Sequence, residues 1–237
     1  MSVGRRRHPS LIARILSLAA AVLVLKVTVS VVSNYHYYWP PNFTSDFLRG
    51  RERYFFGAYQ WAFYTHIASG PISLILGMLL ISEKFRARFP RWHRYLGRVQ
   101  VACVLLLVTP SGLGMAYRAA AGPVAAVSLA TLALATAVCV SLGIWSAMKK
   151  RFAEHRRWMW RCYLLLCSAV VLRVIGGLAT VTGMTYPWVD PGATWASWVV
   201  PLAVFEVREW RRRGARSFAS ARPRRLAAEP RGDMAHY

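Results

Sequence analysis

Several side chains able to do acid–base or ion-binding chemistry fall inside long apolar runs of this chain. Arg173 follows eleven consecutive uncharged residues after Arg161. His66 lies in "THIASGPISLILG", Thr109 and Ser111 flank Pro110, and Glu206 sits in the last apolar run. A guanidinium stays charged and presents five donors, so it demands acceptors wherever it is placed. An imidazole changes charge near neutral pH and can carry a proton. Together these residues suit a small ligand: Arg173 would hold an anion or a quinone-like carbonyl, and His66 would handle a proton. Thr109 and Ser111 would supply hydrogen bonds, and Glu206 would balance the charge. Carbonyls freed one turn before Pro71 and Pro110 are further acceptors, since proline removes a backbone donor. The same groups could also satisfy one another and only lock helices together.

The elements that must position them are six apolar segments, near 11–33, 58–82, 98–119, 124–148, 160–183 and 194–209. Runs of about 20 apolar residues span the hydrocarbon core of a bilayer, so the expected fold is all-α, a polytopic bundle of six transmembrane helices. At about 1.5 Å of rise per residue, Arg173 lies about 18 Å beyond Arg161, past the middle of a ~30 Å core. Counting from Arg98 brings Thr109, Pro110, Ser111 and Gly112 to nearly the same level. His66 lies about 12 Å inside its own span, which runs the opposite way. An arginine facing lipid at this depth is costly, so it should face the bundle interior.

Positive residues set the orientation. Arg49, Arg51, Arg53 and Arg118 fall on one side, and Lys26 and Arg173 fall within spans. The remainder of the 31 Lys and Arg gather in the leader, in the 2–3 and 4–5 connections and in the tail. That asymmetry places both termini in the cytoplasm and the protein in the plasma (inner) membrane. The chain divides into a basic leader (1–10), a first span (11–33), a five-helix membrane domain (58–209) and a basic, irregular tail (210–237). Clustered aromatics in "YHYYWPPNF" and "MTYPWVDPGA" fit the aromatic belt of the opposite interface.

Hydrophobic residues make up 56% of the chain, and nine acidic residues face 31 basic ones. A formal charge of +22 could suit nucleic acid. Basic blocks separated by membrane-length runs argue instead for anionic lipid headgroups as partners. Cys103, Cys139, Cys162 and Cys167 lie in or beside apolar runs with no metal-binding spacing. No cofactor is specified. A bis-histidine haem needs two imidazoles at matching depth, and only His66 is clearly intramembrane, which argues against haem without removing a haem-carrying electron-transfer subunit as an alternative. The two cytoplasmic connections echo each other, "RWHRYLGRVQV" and "AEHRRWMWRCYLL". They offer His93, Arg94, Arg98, His155, Arg156 and Arg161 as a second candidate site, for an anion or headgroup. No phosphate loop, nucleophile elbow or paired carboxylate motif appears, so no reaction is named.

Taken jointly, "THIASGPISLILG", "HRYLGR", "SGLGMA", "HRRWMWR" and the mid-span Arg173 resemble a bacterial family of predicted membrane proteins, domain-of-unknown-function family 2306. The positions carrying the resemblance are His66, Gly70, His93, Arg94, Gly97, Arg98, Ser111, Gly112, His155, Arg156, Trp158, Met159, Arg161 and Arg173. They cover roughly 58–209. The resemblance implies an integral membrane protein and supplies no activity.

Overall fold

The computed structural model describes residues 10–45, 47–184 and 186–221, and among these the regular structure is entirely helical. Six long helices follow in order: α1 (Leu11–Ser33), α2 (Ala58–Ile81), α3 (Pro90–Ala116), α4 (Gly122–Met148), α5 (Phe152–Val181) and α6 (Val189–Ala221). The first five are long and apolar enough to cross a membrane. Helices α2 to α5 start or stop close to the expected segments. As α5 does, α3 begins eight residues earlier than its apolar run. Pro90 opens it, as a residue whose missing N–H costs nothing in the first turn. A short helix, Glu83–Arg88, precedes it, capped by the Ser82 side chain accepting from the Phe85 N–H at 3.3 Å.

Two of these helices are not regular throughout. In α3 the turn Val104–Val108 is a π-helix, so the Thr109 N–H reaches back to the Val104 carbonyl. Pro110, one residue later, explains the local widening: it cannot donate, and its ring crowds the preceding turn. Helix α5 breaks at Cys167, between Phe152–Leu166 and Ser168–Val181.

Residues 210–221, expected to belong to an irregular tail, are helical, because α6 continues to Ala221. Residues 210–221 are rich in Arg and Ala, good helix formers, and contain no proline. The rest of that tail, 222–237, and the leader as far as residue 9 lie outside the described residues.

The bundle buries several serines among its apolar residues and is largely apolar outside. Ser73, Ser128, Ser146 and Ser197 are essentially inaccessible, whereas Ile12, Leu16, Trp61, Leu106, Val127 and Val204 are exposed. Lipid is as apolar as leucine, so close packing of small residues, not apolar burial, holds membrane helices together. Helices α4 and α5 pack extensively against each other. Their turn is closed by Lys150 in the left-handed region, at φ 58°. Gly143 lets them approach: a Cβ there would lie 2.7 Å from the Met159 methyl. On α2, a Cβ at Gly77 would lie 2.7 Å from the Tyr163 ring of α5. Helix α6 packs on α4 and α5 and is tied to α4 by Trp198 Nε1 donating to Ser128 Oγ at 3.1 Å.

The α1–α2 connection caps one end of the bundle. Leu48, Phe55 and Phe63 are fully buried there. Arg51 is only 8% exposed and secures the cap. Its Nε donates to the Phe47 carbonyl at 2.7 Å, and one Nη donates to Tyr54, Tyr59 and the Arg118 carbonyl at 3.0–3.1 Å. The guanidinium also lies 4.7 Å from the Phe47 ring centre, a cation–π contact. The aromatics of this connection, expected at a membrane interface, form a folded layer whose members pack on one another.

The two close approaches differ in what opposes them. Alanine at Gly143 meets the flexible end of a methionine, whereas alanine at Gly77 meets a rigid ring. Gly77→Ala should destabilise the protein by about 1–3 kcal/mol, and Gly143→Ala by clearly less, when thermal unfolding is followed in detergent micelles.

Candidate functional site

The polar layer forms where α2 and α3 cross near the capped end. His66 Nδ1 lies 3.2 Å from Ser111 Oγ. Ser111 in turn donates to carbonyls of the widened turn, Leu107 at 2.5 Å and Val108 at 3.2 Å. The "SGLGMA" run serves this contact by size. Gly112 keeps α3 within reach, since a Cβ there would be 3.5 Å from His66 Cε1, and a Cβ at Gly114 would press to 2.9 Å on Ala62. Thr109 is buried, 8% exposed, and no described group pairs with its hydroxyl. A threonine in a regular helix bonds the carbonyl one turn back. The π-turn moves that carbonyl out of register.

Arg173 approaches the layer from α5. Its guanidinium donates to the carbonyl of Ala169, on its own helix, at 3.0 Å. It lies within electrostatic range of His66, Tyr35 and Tyr38. The side chain is exposed at the protein surface. Among the described residues no carboxylate pairs with it.

The charge balance expected from Glu206 is corrected by the geometry. Glu206 forms a two-pronged pair with Arg161, Nε to Oε1 at 2.5 Å and Nη2 to Oε2 at 2.9 Å. Twelve residues of helix separate Arg161 from Arg173, about 18 Å of rise, so a carboxylate held by one cannot reach the other. The carbonyls freed by proline are also taken elsewhere. Pro71 leaves the Ile67 carbonyl without its helical donor, and the Tyr35 hydroxyl supplies one at 2.5 Å. Tyr35, Tyr38 and Arg51 carried no site role in the sequence reading. Tyr35 was legible only as one of a cluster of aromatics, and the pointer to it was the unpaired carbonyl before Pro71.

The second candidate group divides. His155 Nδ1 is 2.8 Å from the Gly143 carbonyl and holds the α4–α5 turn closed. Arg161 stacks over Trp158 at 4.5 Å to the ring centre while pairing with Glu206. Trp158 and Met159 both meet Gly143. Much of "HRRWMWR" is therefore spent on assembling α4, α5 and α6. Arg94, Arg98 and Arg156 are exposed, and His93, half-buried, lies within electrostatic range of His155 and Arg86.

The sequence profile of the family described as Predicted membrane protein (DUF2306) matches residues 63–208, more than half of the chain. The match runs from α2 into α6 and takes in His66, Thr109, Ser111, Arg161, Arg173 and Glu206. No curated protein and no solved structure matches the chain.

The Arg161–Glu206 pair generates a test of assembly. Glu206 is 43% exposed and Arg161 14%, so the loss falls below that of a fully buried pair. Glu206→Leu alone should cost about 1–3 kcal/mol by leaving Arg161 unpaired. Adding Arg161→Met should recover part of that loss in a double-mutant cycle on thermal stability.

Proposed function

Because the chain belongs to the DUF2306 family of predicted membrane proteins, we propose that it is a plasma (inner) membrane protein whose polar layer binds a small ligand. The ligand is an anion or carries a quinone-like carbonyl, and the protein serves transport or membrane redox. In this reading α6 is the sixth span and both termini are cytoplasmic, with the polar layer in the outer half. Arg173 holds the ligand's acceptor, His66 handles a proton, and Ser111 and Thr109 contribute hydrogen bonds. Glu206 has no part in the site. On the cytoplasmic face Arg94, Arg98 and Arg156, with His93 beside them, meet anionic lipid headgroups.

One observation carries the reading: a guanidinium with five donors, well inside a candidate span, has among the described residues only a carbonyl of its own helix as hydrogen-bond partner, and it lies exposed within electrostatic range of two tyrosines and an imidazole. A cation at that depth is costly unless it meets an acceptor or a polar cavity. The competing reading, a non-catalytic structural or partner-binding membrane protein, draws on the Arg161–Glu206 pair and the His66–Ser111 contact, both of which join helices.

Arg173→Leu separates the two. On the binding reading, wild-type protein purified in mild detergent carries an acidic or carbonyl-bearing small molecule seen by untargeted mass spectrometry. The variant loses it while unfolding at nearly the wild-type temperature. A structural role for Arg173 predicts a markedly less stable variant, and identical small-molecule profiles would overturn the ligand assignment.

A further inference from the structure

Helix α5 changes neighbours where it breaks. Before Cys167 it packs on α2, α4 and α6, whereas its second half, Ser168–Val181, packs on α1 and α6. No Cα of that second half lies within 8 Å of a Cα of α2, α3 or α4. A gap therefore opens between the second half of α5 and the α2–α3 pair. Its floor is the apolar cluster of Val24, Leu74, Tyr163 and Val170, which joins α1, α2 and α5. On α2, Leu74, Gly70 and His66 follow one another at four-residue spacing, so they share a face. A Cβ added at Gly70 would meet no neighbour within 4 Å. The turn of α5 beyond Arg173 is equally open, since a Cβ at Gly176 or Gly177 would also meet nothing within 4 Å.

Arg173 stands at the edge of this gap. Ala169, Arg173 and Gly177 recur at four-residue spacing and are all exposed, so the guanidinium lies on a face that α1 and α6 leave uncovered. It is eight residues short of Val181, where α5 ends, or about 12 Å in rise. An arginine on a lipid-facing surface ordinarily stretches toward the nearer headgroups. This one is turned the other way, donating to the Ala169 carbonyl one turn back at 3.0 Å. Among the described residues no carboxylate balances its charge. In a medium of low dielectric an opposite charge meets a cation far better than a neutral acceptor does. A partner reaching this face from the bilayer must also be soluble in hydrocarbon.

We propose that the gap is a laterally open groove that takes an anionic amphiphile from the bilayer, its carboxylate or phosphate head on Arg173 and its hydrocarbon chain left among the lipids. The head enters from the end of α5 past Gly177 and Gly176, which put no side chain in its way. Arg173 supplies the opposite charge and a fork of donors matched to an oxyanion. His66, Tyr35 and Tyr38 lie within electrostatic range of the same guanidinium and make that end of the groove polar. This inference rests on the ligand reading of Arg173 and narrows it, from an anion or carbonyl of any origin to an anion delivered by the membrane.

The test uses the full chain in phosphatidylcholine vesicles and a long-chain fatty acid bearing a diazirine near its carboxylate and a terminal alkyne. After irradiation, adducts are mapped by mass spectrometry. Wild-type protein should be labelled within 168–181, and Arg173→Leu should lower that labelling several-fold. Gly177→Phe keeps the guanidinium but fills the open path, so it should lower labelling comparably, and it stands in if Arg173→Leu does not fold. The methyl ester of the probe, which enters the bilayer without a charge, should label the segment weakly. Equal labelling of wild type and both variants overturns the inference, and so does an ester that labels as strongly as the acid.

A short-chain, water-soluble acid with the same diazirine separates the two sources of anion. Arg173-dependent labelling by this probe and not by the long-chain one overturns the lateral route and leaves the ligand reading of Arg173 standing. Likewise, a co-purifying small molecule lost from Arg173→Leu while long-chain labelling is unchanged sinks this inference alone.

Discussion

A backbone carbonyl in hydrocarbon must be given a donor, and two prolines in adjacent spans each take one away. Around that constraint the polar half of the molecule is arranged. Pro71 strips the Ile67 carbonyl of its helical partner, and the vacant acceptor is met from outside the helix by Tyr35. This bond fastens the end of α1 to α2, and α1 makes few other contacts. It also carries Tyr35 and Tyr38 to Arg173. On α3, Ser111, next to Pro110, donates back to the Leu107 and Val108 carbonyls of the π-turn, and it also meets His66. The two defects sit opposite one another, which is why the polar layer forms there and not at another depth.

The remaining packing follows from the solvent being lipid. With no apolar driving force between helices, contact depends on how closely backbones can approach, and glycine and serine mark the places where they do. Gly143 admits Met159 and Trp158, Gly77 admits Tyr163, and Gly114 admits Ala62. These positions give the bundle its shape, and the same small residues leave the α2–α3 interface narrow and partly polar. Outside the membrane region the logic reverses. The α1–α2 connection folds around Phe55 and Phe63 as a soluble core would, with Arg51 joining its carbonyls and phenols.

Helix positions were legible because length and hydropathy decide them: α1 spans the residues its apolar run marked, and α4 ends where that run ends. Depth counting placed His66 and Ser111 at one level, and they do touch. Three matters escaped it. Counting rise cannot say which neighbour a side chain turns to, so Glu206 was assigned to the wrong arginine. Nor does it register that a proline's effect falls on a partner helix, which hid Tyr35. A single glutamine near the start of a span reads as an ordinary boundary residue, so Gln100 drew no notice, although it is buried and its Oε1 has no partner among the described residues. Helix α6 outran its apolar run because nothing in residues 210–221 stops a helix.

The contrast between the two arginines of α5 bears on what kind of protein this is. Arg161 is held by a carboxylate at two points and by the face of Trp158, with little of its side chain exposed. Its charge is cancelled locally, and its consequence is structural, fixing α6 against α5. Arg173, three turns further on, has a carbonyl of its own helix and a set of groups at electrostatic range that bear no formal negative charge at neutral pH. The same helix thus shows how this bundle neutralises a cation when neutralisation is all that is needed. Had Arg173 served only to tie helices, the arrangement used at Arg161 was open to it. Instead its side chain is exposed at the protein surface, within electrostatic range of an imidazole and two phenols, so its charge is left to be met from outside the fold, which is the condition the proposed ligand would answer.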